Sequence, residues 1–231
     1  MNFLAIIPAR AGSKRVPQKN FRPFAGTTLT DIAMQQALQS KLLSHIILST
    51  DSLEILAVEK KYPKIICLER PADISGDEAP AIEYVRHALA SLESSALHFD
   101  VVVILQPSSP LRTAVDIDAT IQLLLDNPTA DSVVSVVKLD HMVHPLKLKT
   151  LDGNELKPFL EDEDGRFAAQ NLPPVYVRNC AVYATWRADL ETRNDVIGKR
   201  SLAYLMPADR SVDINEMMDF EFAEYLYQKN R

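Results

Sequence analysis

Short apolar runs alternate along this chain with longer stretches in which apolar residues recur at helical spacing. "FLAII" (3–7), "HIILST" (45–50), "KIICL" (64–68), "DVVVILQ" (100–106), "DSVVSVVKL" (131–139), "NCAVYATW" (179–186) and "SLAYLMP" (201–207) read as strands. "TTLTDIAMQQALQSK" puts Leu29, Ile32, Ala33, Ala37 and Leu38 on one helical face, with Thr27 or Thr28 as N-cap. Further helices are predicted at 52–62, with Ser52 as cap, and at 81–93, 113–126 and 214–230. Strand and helix in regular succession predict an α/β fold: a three-layer, doubly wound, mostly parallel sheet with helices on both faces. "DVVVILQ" is the most apolar run and therefore the expected central strand. In such sheets ligands bind beyond the carboxyl ends of the strands, which singles out the loops after 7, 49, 68 and 105.

The alternation breaks down over 140–176, where several prolines, a predicted turn at Asp152-Gly153 and an acidic cluster at 161–164 follow one another. This stretch reads as an excursion from the sheet, a hairpin-bearing flap or an oligomer contact. It is inserted in a single domain spanning 1–231, without internal repeat or linker.

Composition narrows the partners. A net charge of −6 argues against the broad basic face of a nucleic-acid or membrane-surface binder. The two cysteines, Cys67 and Cys180, have no metal-ligand spacing and form no disulfide framework. No leader-like segment or run of about 20 apolar residues is visible, so a cytoplasmic protein is expected.

Against that acidic background the loop at 8–20, "PARAGSKRVPQKN", gathers Arg10, Lys14, Arg15 and Lys19 directly after the first strand. Backbone N–H groups around Gly12 and Ser13, the Ser13 hydroxyl and the cations are the two parts a polyphosphate needs; the alternative is a solvated basic loop. Neither the phosphate-loop NTPase nor the dinucleotide fingerprint is present. "LQPSSPLR" (105–112) offers Gln106 and Ser108 on a proline-stiffened turn, suited to a base edge or sugar hydroxyl, with Arg112 one turn on. Asp213, with Asn215 two residues later, either serves Mg²⁺ beside phosphates or caps the last helix; Asp219 and Glu221 are expected on its exposed face. Arg70 ends another strand. His144 is either an acid–base group or structural, and Asp51 in "STD" is either a site residue or a cap.

In order and spacing, "IIPARAGSKRVPQKN", "ILSTD", "ERPADIS", "LQPSSPLR", "QNLPPVYVRNCAVY" and "SVDINEMMDFEFAE" resemble the N-acylneuraminate cytidylyltransferases, including those for pseudaminic and legionaminic acids. The resemblance runs from Phe3 to about Glu224, and the first loop differs from the threonine-arginine version of the 3-deoxy-manno-octulosonate cytidylyltransferases. It implies a Rossmann-like nucleotidyltransferase fold and a reaction in which CTP and a nine-carbon 2-keto sugar acid give CMP-sugar and pyrophosphate. It further implies that Arg10, Ser13, Lys14 and Lys19 hold the triphosphate, with Asn20, Arg70, Gln106 and Ser108 along the nucleotide. Gln106, Ser108, Gln170, Tyr176 and Asn179 would face the sugar. Asp213 and Asn215 would serve Mg²⁺, with Asp213 orienting the attacking hydroxyl, and the 140–176 excursion would reach a partner in a homodimer. Three positions depart from the family pattern: Asn215 replaces an aspartate, Cys180 a glycine and Ala169 an arginine. These departures allow two alternatives, a CTP-binding protein without turnover and a nucleotidyltransferase for another sugar acid.

Overall fold

In the computed structural model, which describes residues 1–52, 54, 61–92, 97–160 and 172–230, the first strand sets the architecture. Along β1 (Phe3–Pro8), Phe3, Ala5 and Ile7 pack into one apolar layer, and Leu4 and Ile6 into the other. A strand apolar on both faces must be covered on both faces. The first layer is closed by α1 (Leu29–Gln39) and α3 (Ala114–Asp126), the second by α2 (Ala81–Leu92) and the short α4 (Arg187–Arg193).

Among the described residues seven strands form the main sheet, in the order β3-β2-β1-β4-β8-β5-β9. Here β2 is His45–Thr50, β3 Ile65–Glu69, β4 Val101–Ile104, β5 Ser132–Lys138, β8 Tyr176–Trp186 and β9 Ser201–Leu205. The pairs β1–β2, β1–β4, β2–β3 and β5–β9 are parallel. Strand β8 runs antiparallel to both β4 and β5. It does so because the excursion leaves from the carboxyl end of β5 and returns at that same end, so the chain can only re-enter the sheet running back down. The β5–β8 register shifts between Val134 and Val136, and at the bulge Cys180 takes a positive φ of 58°.

Thr28, rather than Thr27, caps α1 by accepting from the Asp31 N–H at 3.1 Å. The last helix, α5 (Met217–Lys229), is capped by Glu216 and Asp219, whose carboxylate accepts the N–H groups of Asn215 and Glu216 at 2.9 and 2.8 Å. Neither Asp213 nor Asn215 is consumed as a cap. Asp219 is half-buried in this role, not displayed on the exposed face.

A third apolar cluster joins Val16 of the first loop and Phe24 just after it to Leu29 and Ile32 of α1, to Ile214, and to Phe220 and Ala223 of α5. Phe24 meets Phe220 edge-on at 5.2 Å and Tyr227 at 5.5 Å. This packing draws the last segment of the chain against the first loop. The excursion contains the hairpin β6 (Lys149–Asp152) and β7 (Glu155–Pro158), reversed at Gly153 with φ 60°. Every residue of both strands is exposed. The helix predicted over 52–62 lies mostly outside the described residues, as do the acidic cluster at 161–164, Ala169 and Gln170.

Candidate active site

The chain passes from β1 to β2 and β3 on one side, then returns to place β4 on the other. This reversal opens a crevice beyond the carboxyl ends of β1 and β4, where the 8–20 loop and the 105–112 loop meet. A cavity of about 340 Å³ lies there, lined by Arg10, Ser13, Lys19 and Asn20 on one side and by Arg70, Gln106 and Ser108 on another. A second cavity of about 260 Å³ shares Arg10, Ser13 and Lys19 with it and adds Lys14, Arg15 and Asn215.

The first loop is held from beneath. Ala9 N–H continues the ladder to Ser49 O at 2.9 Å, and the Asp51 carboxylate accepts the Ala11 N–H at 2.6 Å. Asn20, buried, donates to Arg10 O at 3.0 Å, while its own carbonyl accepts from the Thr30 N–H and hydroxyl. Asn20 therefore braces the turn. No described residue accepts the N–H groups of Gly12, Ser13 or Lys14. Unpaired main-chain donors beside cations are what an anion cradle requires.

Lys19 reaches the other way and donates to Ile214 O at 2.7 Å. Burial pushes its pKa below the ordinary lysine value, and the Asp213 carboxylate opposes that shift. Ile214 N–H donates to Ser108 O at 2.9 Å, so one residue pins the 105–112 loop to the segment that carries Asp213 and Asn215. Asn215 Nδ2 donates to Asp213 Oδ2 at 3.0 Å, and no hydrogen bond among the described residues engages its amide oxygen. One carboxylate and one amide oxygen beside the cations of the first loop fit Mg²⁺, which takes few protein ligands and completes its shell from water and anionic oxygens. No group of three or more His, Cys, Asp or Glu side chains forms a metal cluster among the described residues.

At the far end of the larger cavity Arg70 is buried, donating from Nε to Ser49 Oγ at 3.0 Å and from a terminal nitrogen to Ser49 O at 2.8 Å. Its guanidinium carbon lies 4.8 Å from the centre of the Tyr84 ring. This end carries an arginine packed on an aromatic ring. Below the 105–112 loop, Arg112 is buried and donates from one nitrogen to Gln106 O at 2.6 Å and Ala181 O at 2.9 Å.

The structure thus gathers Arg10, Ser13, Lys14, Lys19, Asn20, Arg70, Gln106, Ser108 and Asn215 around adjoining cavities, with Asp213 bonded to Asn215. Of the residues expected at the sugar end, Asn179 is turned inward and Tyr176 lies apart from both cavities. The Asn179 side chain does not face the crevice: it is 2 % exposed and spends its amide inside the protein, accepting from Ser135 Oγ at 2.6 Å and donating to Ser211 Oγ at 2.9 Å. Tyr176 is 47 % exposed at the outer end of β8 and lines neither cavity. His144 is structural: its Nδ1 accepts the Leu146 N–H at 3.2 Å, leaving Nε2 to donate to Pro173 O at 3.0 Å. Sequence reasoning missed Asp77, which pairs with Arg10 at 2.5 Å and Lys14 at 2.6 Å, and Tyr84 behind Arg70. Gly76 before Asp77, in a loop following a predicted strand, was the available signal for the first; nothing local marks the second.

A crevice with cations at one end and an arginine packed on an aromatic ring at the other lies at the switch point of a doubly wound sheet, and the family to which the chain is matched makes it a nucleotidyltransferase. The chain belongs to the cytidylyltransferase family, whose profile matches residues 4–230. It is 32% identical over 234 residues to the CMP-N,N'-diacetyllegionaminic acid synthase of Legionella pneumophila, covering 100% of this chain and 98% of that one. It is 30% identical to a post-translational flagellin modification protein B of Campylobacter coli (98% and 95% covered) and to a pseudaminic acid cytidylyltransferase of Campylobacter jejuni (100% and 98%). Among solved structures, a CMP:2-keto-3-deoxy-manno-octonic acid synthetase complexed with CTP shares the fold over the full length of both chains, with a TM-score of 0.73 at 15% identity.

Proposed function

We propose that this enzyme transfers the cytidylyl group of CTP to the anomeric hydroxyl of a nine-carbon 2-keto sugar acid, forming a CMP-sugar and pyrophosphate. The observation that carries the reading is the pairing of the unpaired N–H groups and cations of the 8–20 loop with the Arg70, Gln106 and Ser108 end of the same cavity. That length and polarity suit a nucleoside triphosphate, with the phosphates on the loop and the base towards Arg70. The relatives named for legionaminic and pseudaminic acids support a sugar acid as acceptor.

In the reaction the sugar hydroxyl oxygen attacks the α-phosphorus in line, the bond to the bridging oxygen breaks, and its electron pair leaves with pyrophosphate. The hydroxyl proton passes to solvent. The work of the protein is alignment and charge neutralisation. Arg10, Lys14 and Lys19 offset the charge that gathers on the leaving pyrophosphate, and the Ser13 hydroxyl and loop N–H groups orient its oxygens. Lys19, fixed on Ile214 O, holds the Asp213 segment at the α-phosphate end. Asp213 and Asn215 are the residues that would hold Mg²⁺, which supplies charge neutralisation to the phosphate oxygens when bound. Gln106 and Ser108 stand between base and acceptor. Gln170 and Tyr176 belong to the acceptor side in this reading, and Asn179 shapes that side from behind.

The excursion supports a homodimer. Met142, Leu151, Leu156, Phe159 and Leu160 are all exposed on it, and a lone two-stranded hairpin is marginally stable in water without cover. Among the described residues no helix is long and apolar enough to cross a membrane.

Pyrophosphate release from CTP and Mg²⁺, with N-acetylneuraminic, legionaminic and pseudaminic acids offered separately, tests the proposal. Turnover with one acid is the expected result. CTP binding without turnover on any acid would favour the second reading, a binding protein, for which the neutral Asn215 is the specific observation.

A further inference from the structure

One carboxylate stands against the cations of the first loop in the crevice. Asp77 lies between the helical turn Ala72–Ile74 and α2, and its two carboxylate oxygens are taken by different cations: Oδ1 by Arg10 at 2.5 Å and Oδ2 by Lys14 at 2.6 Å. Both adjoining cavities are lined by Asp77. The two cations hold its pKa below the ordinary carboxylate value. We propose that Asp77 is an internal stand-in for the triphosphate, occupying Arg10 and Lys14 in the free enzyme and yielding them when a nucleoside triphosphate enters. This rests on the reading of the 8–20 loop as the triphosphate site.

Three features favour a displaceable contact over a permanent brace. First, the ion pairs are part-exposed, with about a third of the Arg10 and Asp77 side chains and most of Lys14 in solvent, and such pairs are weak enough for a polyanion to outcompete. Second, the permanent bracing of the loop is done elsewhere, by Asp51 on the Ala11 N–H and Asn20 on Arg10 O. Third, Lys19, a half-buried cation of the same loop, is tied to a neutral carbonyl and takes no part in the contact. Gly76 and Ala79, on either side of Asp77, line the same cavity as Arg70 and Tyr84.

The test is calorimetric binding of inorganic tripolyphosphate in EDTA to wild type, Asp77→Asn and Asp77→Ala, with CTP binding to wild type run alongside. Both variants should bind tripolyphosphate about fivefold more tightly, the order that two part-exposed ion pairs supply. In a Lys14→Met background the gain should shrink, since half of the contact is already gone. Equal or weaker binding by both variants overturns the proposal and makes Asp77 a brace for the cations. A variant defect that appears only when Mg²⁺ is added overturns it too, because Asp77 would then serve the metal. Wild type that binds tripolyphosphate but not CTP would instead count against the nucleotide reading of the far end of the cavity, leaving the comparison between variants intact.

Discussion

Asn179→Ala separates two roles for one residue, a sugar contact as the sequence resemblance implies or an internal tie as the structure places it. Asn179 Oδ1 accepts from Ser135 Oγ at 2.6 Å and from the Ala181 N–H at 3.3 Å, and its Nδ2 donates to Ser211 Oγ at 2.9 Å and Met206 Sδ at 3.2 Å. The site is 2 % exposed, so water cannot replace these partners without entering the core. Two good neutral hydrogen bonds contribute about 1 kcal/mol each, and the space left by the amide adds about another 1 kcal/mol, for a loss of roughly 3 kcal/mol. Urea unfolding followed by circular dichroism measures it directly. Because Ser211 leads into the segment carrying Asp213, kcat should fall with little change in the KM for CTP. Unfolding within 0.5 kcal/mol of wild type (about the scatter of surface substitutions) combined with a large rise in the KM for the sugar acid would refute the internal role. Asn179 would then be a substrate contact.

Other expectations follow from neighbouring features. Asn215→Asp adds a charge beside Asp213 and should lower the Mg²⁺ concentration for half-maximal pyrophosphate release by about tenfold, since ligand charge tunes affinity for hard cations; an unchanged Mg²⁺ titration would remove position 215 from the metal site. At the β8 bulge Cys180 has φ 58°, which a β-branched residue tolerates poorly. Cys180→Val should cost about 2 kcal/mol or more, while Cys180→Gly stays within about 1 kcal/mol of wild type by thermal unfolding; equal costs would show that volume, not backbone conformation, decides there. Leu151 and Leu156 are cross-strand partners on the exposed hairpin. Replacing both by serine should convert the proposed dimer to monomer in light scattering at unchanged helix content, and a monomeric wild type would end that proposal.

The alternation of apolar runs with amphipathic stretches was enough to give the α/β class, because strand and helix periods are local properties of the chain. The loops that line the crevice were legible for a related reason: in a doubly wound sheet the crevice opens where strands end, and the cations of 8–20 stand out against an acidic chain. The turn at Gly153 and the exposed hairpin were visible in the same way. What the sequence did not contain was direction and depth. That β8 runs antiparallel follows from where the excursion returns, a matter of path rather than composition. That Asn179 points inward follows from the bulge at Cys180 and from Ser135 and Ser211, residues 44 and 32 positions away. Asp77 sits 63 residues from Lys14 in a stretch with no motif of its own, and only the folding of α2 against β1 and β2 brings it beside that lysine. Local chemistry can be read along the chain. Which charges meet is decided by packing, because an ion pair depends on distances that only the closed core fixes.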